Sequence, residues 1–348
     1  MRIFDYSRLR DVKWDSEILG LVAQIHEYKG KQAFFLKQKP ATLEKLVEIA
    51  KIQSTESSNK IEGIVTTATR MKQLCDQKTT PRNRDEEEIS GYRDALALIH
   101  ESHEYIPIKS SYILQLHQVL YHYSQRDIGG RFKNAQNYIA EIRENGEQIV
   151  RFMPLDPFET PMAMEAICES FNREADACIV DPLILIPAFI IDFLCIHPFN
   201  DGNGRMSRLL TTLLLYRAGY VVGKYVSLES KIEKTKASYY ETLEKSDMNW
   251  NSEENDITPF IKYTLGTILA AYRDLEERIT LAESKVSAID LVRNAVNHTI
   301  GKFTKNDIMA LVPSIGKTSV ENSLKVLMNE GMIGKNGKGK ATYYFRKN

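Results

Sequence analysis

The greatest density of reactive side chains in this sequence lies in residues 197–208, which read HPFNDGNGRMSR. An apolar helix is predicted to end at Ile196, and a turn over residues 200–204 leads into an amphipathic helix. Glycines let backbone N–H groups approach a ligand closely. The first turn of a helix also offers unpaired N–H donors and a positive dipole end. The segment therefore predicts an anion site suited to phosphate.

Four side chains around this turn extend the prediction to phosphate chemistry. Arg205 and Arg208 lie three residues apart, so both can reach the same side of the site. Asp201 supplies the hard oxygen ligand that Mg²⁺ prefers, and His197 can accept a proton from an incoming hydroxyl. The sequence has no P-loop pattern, and residues 202–204 lack the third glycine of a dinucleotide-binding fingerprint. The residues alone therefore predict nucleotide or phosphate chemistry of another kind.

Helical periodicity dominates the chain that must position these residues, and 348 residues suggest about two domains. The best strand signal is residues 136–152, where two β-prone runs flank Glu144-Asn145-Gly146, a strong hairpin pattern. The predicted fold class is mainly α with one hairpin. Helices are predicted over residues 41–53, 85–103, 110–123, 160–178, 182–196, 203–218, 236–246 and 256–282.

The charges cancel over the whole chain, with 46 Lys plus Arg against 46 Asp plus Glu, but they are unevenly spread. From Lys285 onward there are 11 basic and 4 acidic residues, a net charge of +7, so residues 1–284 carry −7. Two short helices around a turn at residues 314–316, a Gly/Lys-rich loop and a short strand predict a winged helix. Its basic character fits DNA binding, and contact with a protein or a second copy of the chain is the alternative. The residues expected to touch phosphate are Lys317, Thr318, Lys335, Lys338 and Lys340.

The remaining composition favours a cytoplasmic protein outside the membrane. None of the four cysteines forms a C-x-x-C pair, which fits a reducing compartment. The N-terminus has no apolar core of a signal peptide, and the most apolar run, residues 183–196, is shorter than the roughly 20 residues a bilayer needs. Cys195 continues the buried apolar helix, so a packing role is expected. The pairs His100/His103 and His117/His122 are expected to pack or face solvent rather than hold metal.

The motif HPFNDGNGRMSR matches, position by position, the H-x-F-x-[DE]-G-N-G-R-x-x-R signature of Fic (Fido-fold) proteins, and the resemblance extends over about residues 50–270. It implies a helical Fic core with a β-hairpin flap. The corresponding layout is an N-terminal helical region over 1–110, a Fic core over 111–284 and a winged helix over 285–348.

The resemblance also implies a protein adenylyltransferase, which moves AMP from ATP to a Ser, Thr or Tyr hydroxyl of a target protein and of itself. His197 would be the base, and Asp201 would hold Mg²⁺. Gly202, Asn203 and Gly204 would form the anion hole, with the Asn203 side chain contacting phosphate. Arg205 and Arg208 would hold the outer phosphates, and Phe199 would anchor the loop. The Doc kinase branch has Lys in place of one of these glycines, so its absence favours AMP transfer.

Upstream, residues 58–63 (SNKIEG) resemble the [ST]-x-x-x-E-[GN] motif of the autoinhibited branch of the family. Ser58 and Glu62 are four residues apart and share a helix face. Glu62 is expected to pair with Arg208 where the γ-phosphate should sit. In some relatives the same glutamate helps to remove AMP from the target, so net de-AMPylation is an alternative function.

Two weaker resemblances complete the predicted site. Residues 129–157 are similar to the family's flap, and the predicted strand for docking a target segment consists of Gln148, Ile149, Val150 and Arg151. Tyr239 and Tyr240 occupy the place of a Tyr pair that lines the adenine pocket, although core packing is equally compatible with them. A homodimer is expected from the family. A DNA-binding regulator with a Fic sensor core is the alternative from another functional class.

Overall fold

The computed structural model describes residues 2–38, 40–142, 148–283, 287–299, 301–337 and 339–347. The chain divides into two compact units, one formed by Met1–Lys29 with Ala50–Ala271 and the other by Gly30–Ile49 with Tyr272–Asn348. The fold is mostly helical, which confirms the predicted class. The helices are α1 (Ser16–Gln38), α2 (Pro40–Ile61), α3 (Ala68–Cys75), α4 (Arg84–Ser102), α5 (Ser110–Leu120), α6 (Thr160–Ala177), α7 (Pro182–Ile196), α8 (Asn203–Arg217), α9 (Leu228–Lys234), α10 (Lys236–Asp247), α11 (Thr258–Glu283), α12 (Ala288–Asn297), α13 (Lys305–Leu311) and α14 (Lys317–Asn329).

Helix α7 is the centre of the first unit and the element that delivers the motif. It starts at Pro182, where a missing N–H costs nothing, and the Asp181 side chain caps it by accepting from the Leu183 N–H. Nearly all of its residues are buried, including Cys195 in the packing role expected of it. Helices α6 and α8 pack against it. The C-terminus of α7 and the N-terminus of α8 therefore meet at residues 197–203.

Strands β1 (Ile139–Ile142) and β2 (Gln148–Phe152) pair antiparallel, as the hairpin pattern predicts. The register places Ile142 opposite Gln148 and Ile139 opposite Phe152, with an irregularity after Ile139. The predicted turn Glu144-Asn145-Gly146 lies outside the described residues.

The C-terminal part of the second unit contains α12, α13 and α14 with three strands, β3 (Lys302–Phe303), β4 (Ile333–Asn336) and β5 (Tyr343–Arg346). The strands form an antiparallel sheet in the order β3-β5-β4. The helices bury a common apolar core that includes Val292, Ile308 and Leu324. The two predicted helices and the predicted strand are present as α13, α14 and β5. The region also contains α12, β3 and β4, which were not predicted individually. Within the described parts of the chain, no helix combines the length and the hydropathy needed to cross a membrane.

Candidate functional site

His197 is the residue that ends α7, and its backbone adopts the left-handed conformation at φ 51°. Its N–H still closes the helix on the Phe193 carbonyl at 3.0 Å. The ring Nδ1 lies 3.1 Å from the Leu194 carbonyl oxygen, which can only accept, so Nδ1 carries the hydrogen and Nε2 keeps its lone pair. Burial lowers the pKa of His197 to about 4. The imidazole is therefore neutral at pH 7 and able to accept a proton.

The loop after His197 is fixed from below by an aromatic stack. Phe199 is fully buried, and its ring lies parallel to that of His117 with centroids 3.7 Å apart. His117 accepts from the Gly130 N–H through Nδ1, so its Nε2–H donates to the Asp201 carbonyl at 3.1 Å. Burial lowers the pKa of His117 to about 4, which keeps this neutral tautomer in place. His117 thus positions the motif loop, and only its packing role was expected from the sequence.

Amide side chains close the same loop. Asn203 accepts from the Phe199 N–H at 2.9 Å and donates to the Phe199 carbonyl at 2.8 Å. In the structure the Asn203 amide therefore holds the loop, whereas the resemblance assigns it a phosphate contact. Asn137 donates to the carbonyls of His197 and Phe199. The buried Lys133 ammonium donates to Asn137 Oδ1 and to the last carbonyl of α7, that of Ile196.

The first turn of α8 faces a cavity of about 350 Å³. Gly202 caps this helix at φ +84°, and a Cβ there would also lie 2.9 Å from the Tyr121 hydroxyl oxygen. Glycine is thus required both by the backbone and by the space available. The N–H groups at the start of α8 have no intrahelical acceptor, which makes this end of the cavity attractive to an anion. The predicted anion hole and His197 line the same cavity.

Arg205 is completely buried beside this turn. Its Nη2 donates to Tyr121 Oη at 2.8 Å and lies 2.7 Å from Glu88 Oε2. Among the described residues its Nε and Nη1 have no hydrogen-bond partner. Buried guanidinium N–H groups are normally satisfied, so these two donors are available to an anion in the cavity that Arg205 lines.

Arg208 is also buried, and its donors are occupied by residues of the predicted inhibitory motif. Its Nε donates to Ser58 Oγ at 2.8 Å, and its Nη2 donates to the Ser58 carbonyl at 3.0 Å and to Glu62 Oε1 at 2.7 Å. Although burial opposes the charged form, the Glu62 carboxylate holds the pKa of Arg208 above its usual value. The predicted pair is therefore formed, across 146 positions of sequence.

Glu62 is placed there by the end of α2. The helix stops after Ile61, Gly63 adopts φ +81°, and the Ile64 N–H bonds back to the Asn59 carbonyl at 3.0 Å, a Schellman-type end. The Glu62 carboxylate then lies against the first turn of α8, because a methyl group at Gly204 would be only 2.3 Å from Oε1.

Asp201, the predicted Mg²⁺ ligand, is surrounded by arginines. Its Oδ2 lies 3.0 Å from Arg126 Nη1 and 3.5 Å from Arg84 Nη2, and its Oδ1 accepts from the Gly202 N–H. Burial acts to raise the pKa of Asp201, but Arg205 and Arg126 hold it below its usual value. Glu88 accepts from both Arg84 and Arg126, so the arginines are held in place.

The chemistry of these donors fits a shared magnesium ion. No group of three or more His, Cys, Asp or Glu that could hold a metal occurs among the described residues. A single carboxylate fits Mg²⁺ when the other ligands are phosphate oxygens and water, as is usual for this cation.

The two predicted tyrosines differ in exposure, although both line the cavity. Tyr239 is buried, whereas Tyr240 is 43% exposed.

Further along α10, Asp247 receives two bonds of 2.8 Å from the Arg151 guanidinium. Of the predicted docking residues in β2, Val150 is exposed, and Arg151 is tied to α10 through this pair; Gln148 and Ile149 pair with Ile142 and Glu141 of β1.

Part of the chain is similar to known proteins. Residues 107–215 match the sequence profile described as the Fic/DOC family. The chain is 27% identical over 185 residues to "Protein adenylyltransferase fic-1" of Caenorhabditis elegans, covering 52% of this chain and 32% of that protein. It is also 27% identical over 205 residues to "Protein adenylyltransferase Fic" of Drosophila mojavensis, covering 56% and 35%. The chain thus spans about a third of the length of these relatives.

Solved structures show the same fold. A Fic family protein from Desulfovibrio desulfuricans G20 superposes with a TM-score of 0.60 at 22% identity, covering 97% of both chains. Fic-1 from Caenorhabditis elegans gives a TM-score of 0.62 at 20% identity, covering 76% of this chain and 74% of that one.

Proposed function

We propose that the chain is a protein adenylyltransferase, because residues 107–215 match the profile described as the Fic/DOC family. It transfers AMP from ATP to a Ser, Thr or Tyr hydroxyl of a target protein and of itself. One observation carries the proposal: a neutral histidine with a free Nε2 lines the same cavity as an anion cradle. The cradle consists of the α8 N-terminus, Arg205 and Arg208.

His197 is the base of the proposed reaction. Its Nε2 takes the proton of the target hydroxyl as the hydroxyl oxygen forms a bond to the α-phosphorus of ATP. The bond from that phosphorus to the bridging oxygen breaks, and pyrophosphate leaves with the electron pair. The hydrogen bond from Nδ1 to Leu194 keeps the ring in the tautomer that this step needs.

The phosphates are bound by donors that the fold already supplies. Arg205 offers Nε and Nη1 from a buried position, and the first turn of α8 offers backbone N–H groups. Asp201 would hold Mg²⁺ together with phosphate oxygens, and the ion would neutralise charge on the leaving pyrophosphate. For that, Asp201 must exchange its contact with Arg126, and Arg126 can stay on Glu88 at 3.1 Å.

Glu62 restrains the enzyme in this proposal. Its carboxylate occupies Arg208 and lies against the first turn of α8, so it stands where an anionic phosphate group would bind. ATP must displace that carboxylate to reach Arg208. Ser58 holds the Arg208 guanidinium through two further bonds, so the arginine keeps its orientation when Glu62 leaves.

The target segment is proposed to pair with β2 of the flap, with Tyr239 and Tyr240 beside the adenine. The bidentate contact from Arg151 to Asp247 supports this arrangement, because it fixes the strand against α10 at the cavity.

The test uses two radioactive forms of ATP with the Glu62→Gly variant and Mg²⁺. Label at the α-phosphate should enter protein, whereas label at the γ-phosphate should not. The His197→Ala change in the same background should abolish incorporation. Incorporation of the γ-label would instead indicate phosphate transfer, and labelling that survives His197→Ala would contradict the assigned base.

A further inference from the structure

Residues 287–347 form a helix-turn-helix that the proposed transfer reaction does not use. Helix α13 ends at Leu311, and α14 begins at Lys317 after a short turn. The β4–β5 hairpin follows. In proteins with this order of elements, the second helix of the pair enters the major groove of DNA and the hairpin lies along the backbone.

Helix α14 has one buried and one exposed face. It buries Val320, Leu324 and Leu327 in the local core. The exposed positions Thr318, Asn322, Lys325 and Asn329 repeat at four-, three- and four-residue intervals, so they form one stripe. Thirteen residues give a helix of about 20 Å, which is long enough to lie in a groove about 12 Å wide.

The stripe has the side-chain types that read base edges. Asparagine can donate and accept together at adenine, lysine donates to guanine, and the methyl group of threonine packs on that of thymine. Glu321, the acidic residue of α14, pairs with Lys305, whose Nζ lies 2.6 Å from Glu321 Oε1, and the charges of Lys317 and Lys325 also help to lower its pKa. The exposed stripe therefore contains no carboxylate that would repel phosphate.

Residues 287–347 also carry an excess of positive charge, which favours binding to a polyanion. Its acidic residues are engaged locally: Arg293 pairs with both Asp290 and Glu330, and Asp307 completes the capping box with Thr304. Lys317, Lys325 and Lys335 are exposed. Within the described ranges no salt bridge joins them to a carboxylate, and the carboxylate that Lys317 and Lys325 act on, that of Glu321, is already paired with Lys305.

We propose that residues 287–347 bind double-stranded DNA, with α14 in the major groove and the β4–β5 hairpin, through Lys335, on the phosphate backbone. Lys338 lies outside the described residues, as does the side chain of Lys340, so neither carries the argument. The inference does not depend on AMP transfer.

The test measures the anisotropy of a fluorescent DNA duplex of mixed sequence, about 30 base pairs long, titrated with the full chain at several salt concentrations. Each phosphate contact contributes about −0.9 to the slope of log K against log salt concentration. The triple change Lys317→Gln, Lys325→Gln and Lys335→Gln should therefore reduce the magnitude of the slope by about 3. Lys109→Gln removes an exposed charge from the other unit and should leave the slope unchanged.

Two further measurements test whether α14 lies in the major groove. An RNA duplex of the same sequence should bind more weakly, because its major groove is too narrow for a helix. Asn322→Ala should change the sequences recovered from a random DNA pool without changing the salt slope.

The proposal is overturned if the duplex does not bind at low salt, or if the triple variant keeps the wild-type slope. Equal binding of the RNA duplex would overturn the placement of α14 in the groove. If the triple change alters self-association in sedimentation but not DNA binding, the face belongs to a second copy of the chain. DNA binding by His197→Ala should equal that of the wild type, so failure of the transferase proposal is detected separately.

Discussion

In the proposed function the Glu62 carboxylate competes with ATP for Arg208, and replacing Glu62 by glycine removes that carboxylate. The change should raise both ATP affinity and AMP incorporation. Arg208 is only 3% exposed and keeps its two bonds to Ser58, so the cation remains in place to receive a phosphate.

The magnitude follows from the contact that ATP no longer has to break. A hydrogen bond to a charged group contributes about 1.5–3 kcal/mol, and Glu62 is 32% exposed, so the lower part of that range, about 1.5–2 kcal/mol, applies. At about 1.4 kcal/mol for each factor of ten, ATP affinity should rise about 10- to 30-fold. Glu62→Gln keeps the shape but loses the charge, and should give an intermediate increase.

The assay is calorimetric titration with an ATP analogue that cannot be cleaved between the α- and β-phosphates, run alongside incorporation of the α-phosphate label. Glu48→Gln is the matched control, because it removes an exposed carboxylate from α2, the helix that precedes Glu62. Thermal unfolding shows that each variant is folded.

One result would refute the reasoning about Glu62. If Glu62→Gly binds the analogue no more tightly than Glu48→Gln and labels no more protein, Glu62 is not a competitor for the phosphate site. If Glu62→Gly binds the analogue more tightly but labels no more protein, Glu62 competes for the phosphate site without controlling the rate of transfer.

Three further perturbations have expected outcomes. The rate of AMP transfer should stay constant between about pH 6 and 8 and fall as the pH drops toward 4. The reason is that His197 accepts a proton only when its ring is neutral, and its pKa is lowered to about 4. A fall in rate centred near pH 6.5 would contradict the lowered pKa. Arg126→Gln should lower the Mg²⁺ concentration for half-maximal ATP binding about two- to fivefold. The reason is that Arg126 no longer competes with Mg²⁺ for Asp201 through an exposed ion pair of about 0.5–1 kcal/mol. The control is Arg131→Gln, which breaks an exposed ion pair with Asp127. Gly202→Ala should lower the free energy of unfolding by about 1–2 kcal/mol or more, because its φ is positive. The control is Gly266→Ala in α11, where a methyl group meets open space and should not destabilise the protein. Urea unfolding measures the stability of both variants.

The sequence predicts the helices around the motif well because burial imposes a 3.6-residue period on them. It misses α1, which has 23 residues, and ends the helix over 41–53 eight residues before α2 ends at Ile61. The patterns over 160–178, 182–196 and 203–218 correspond to α6, α7 and α8 within one residue at each end. Helices α3 and α9 have 8 and 7 residues, about two turns, which is too short for a period to stand out. Helix α12 had a usable signal, since its buried positions 291, 292, 295 and 296 repeat at three and four residues.

In the candidate site, residues within the contiguous motif could be predicted from the sequence, whereas residues brought there by tertiary packing could not. His197, Asp201 and Arg205 belong to one contiguous motif and could be identified from spacing. The supporting residues could not. Arg126 lies 75 positions before Asp201, in a segment between α5 and β1 that has no periodic pattern. His117 lies in a predicted helix, but its place under Phe199 arises only when α5 packs beneath the motif loop.

The exposure of three ion pairs indicates how the site can exchange internal partners for substrate. Arg205 and Glu88 are 1% and 2% exposed, so separating them would leave a buried charge unpaired at a cost of about 3–5 kcal/mol. That pair should persist throughout the cycle. The Asp201–Arg126 and Arg208–Glu62 pairs each include a partner that is about one-third exposed, and that partner can regain water when it is displaced. Substrate binding should therefore open the two partly exposed pairs and leave the buried pair closed. Arg205 can then bind phosphate through Nε and Nη1, which have no partner among the described residues, whereas Arg208 must first release Glu62.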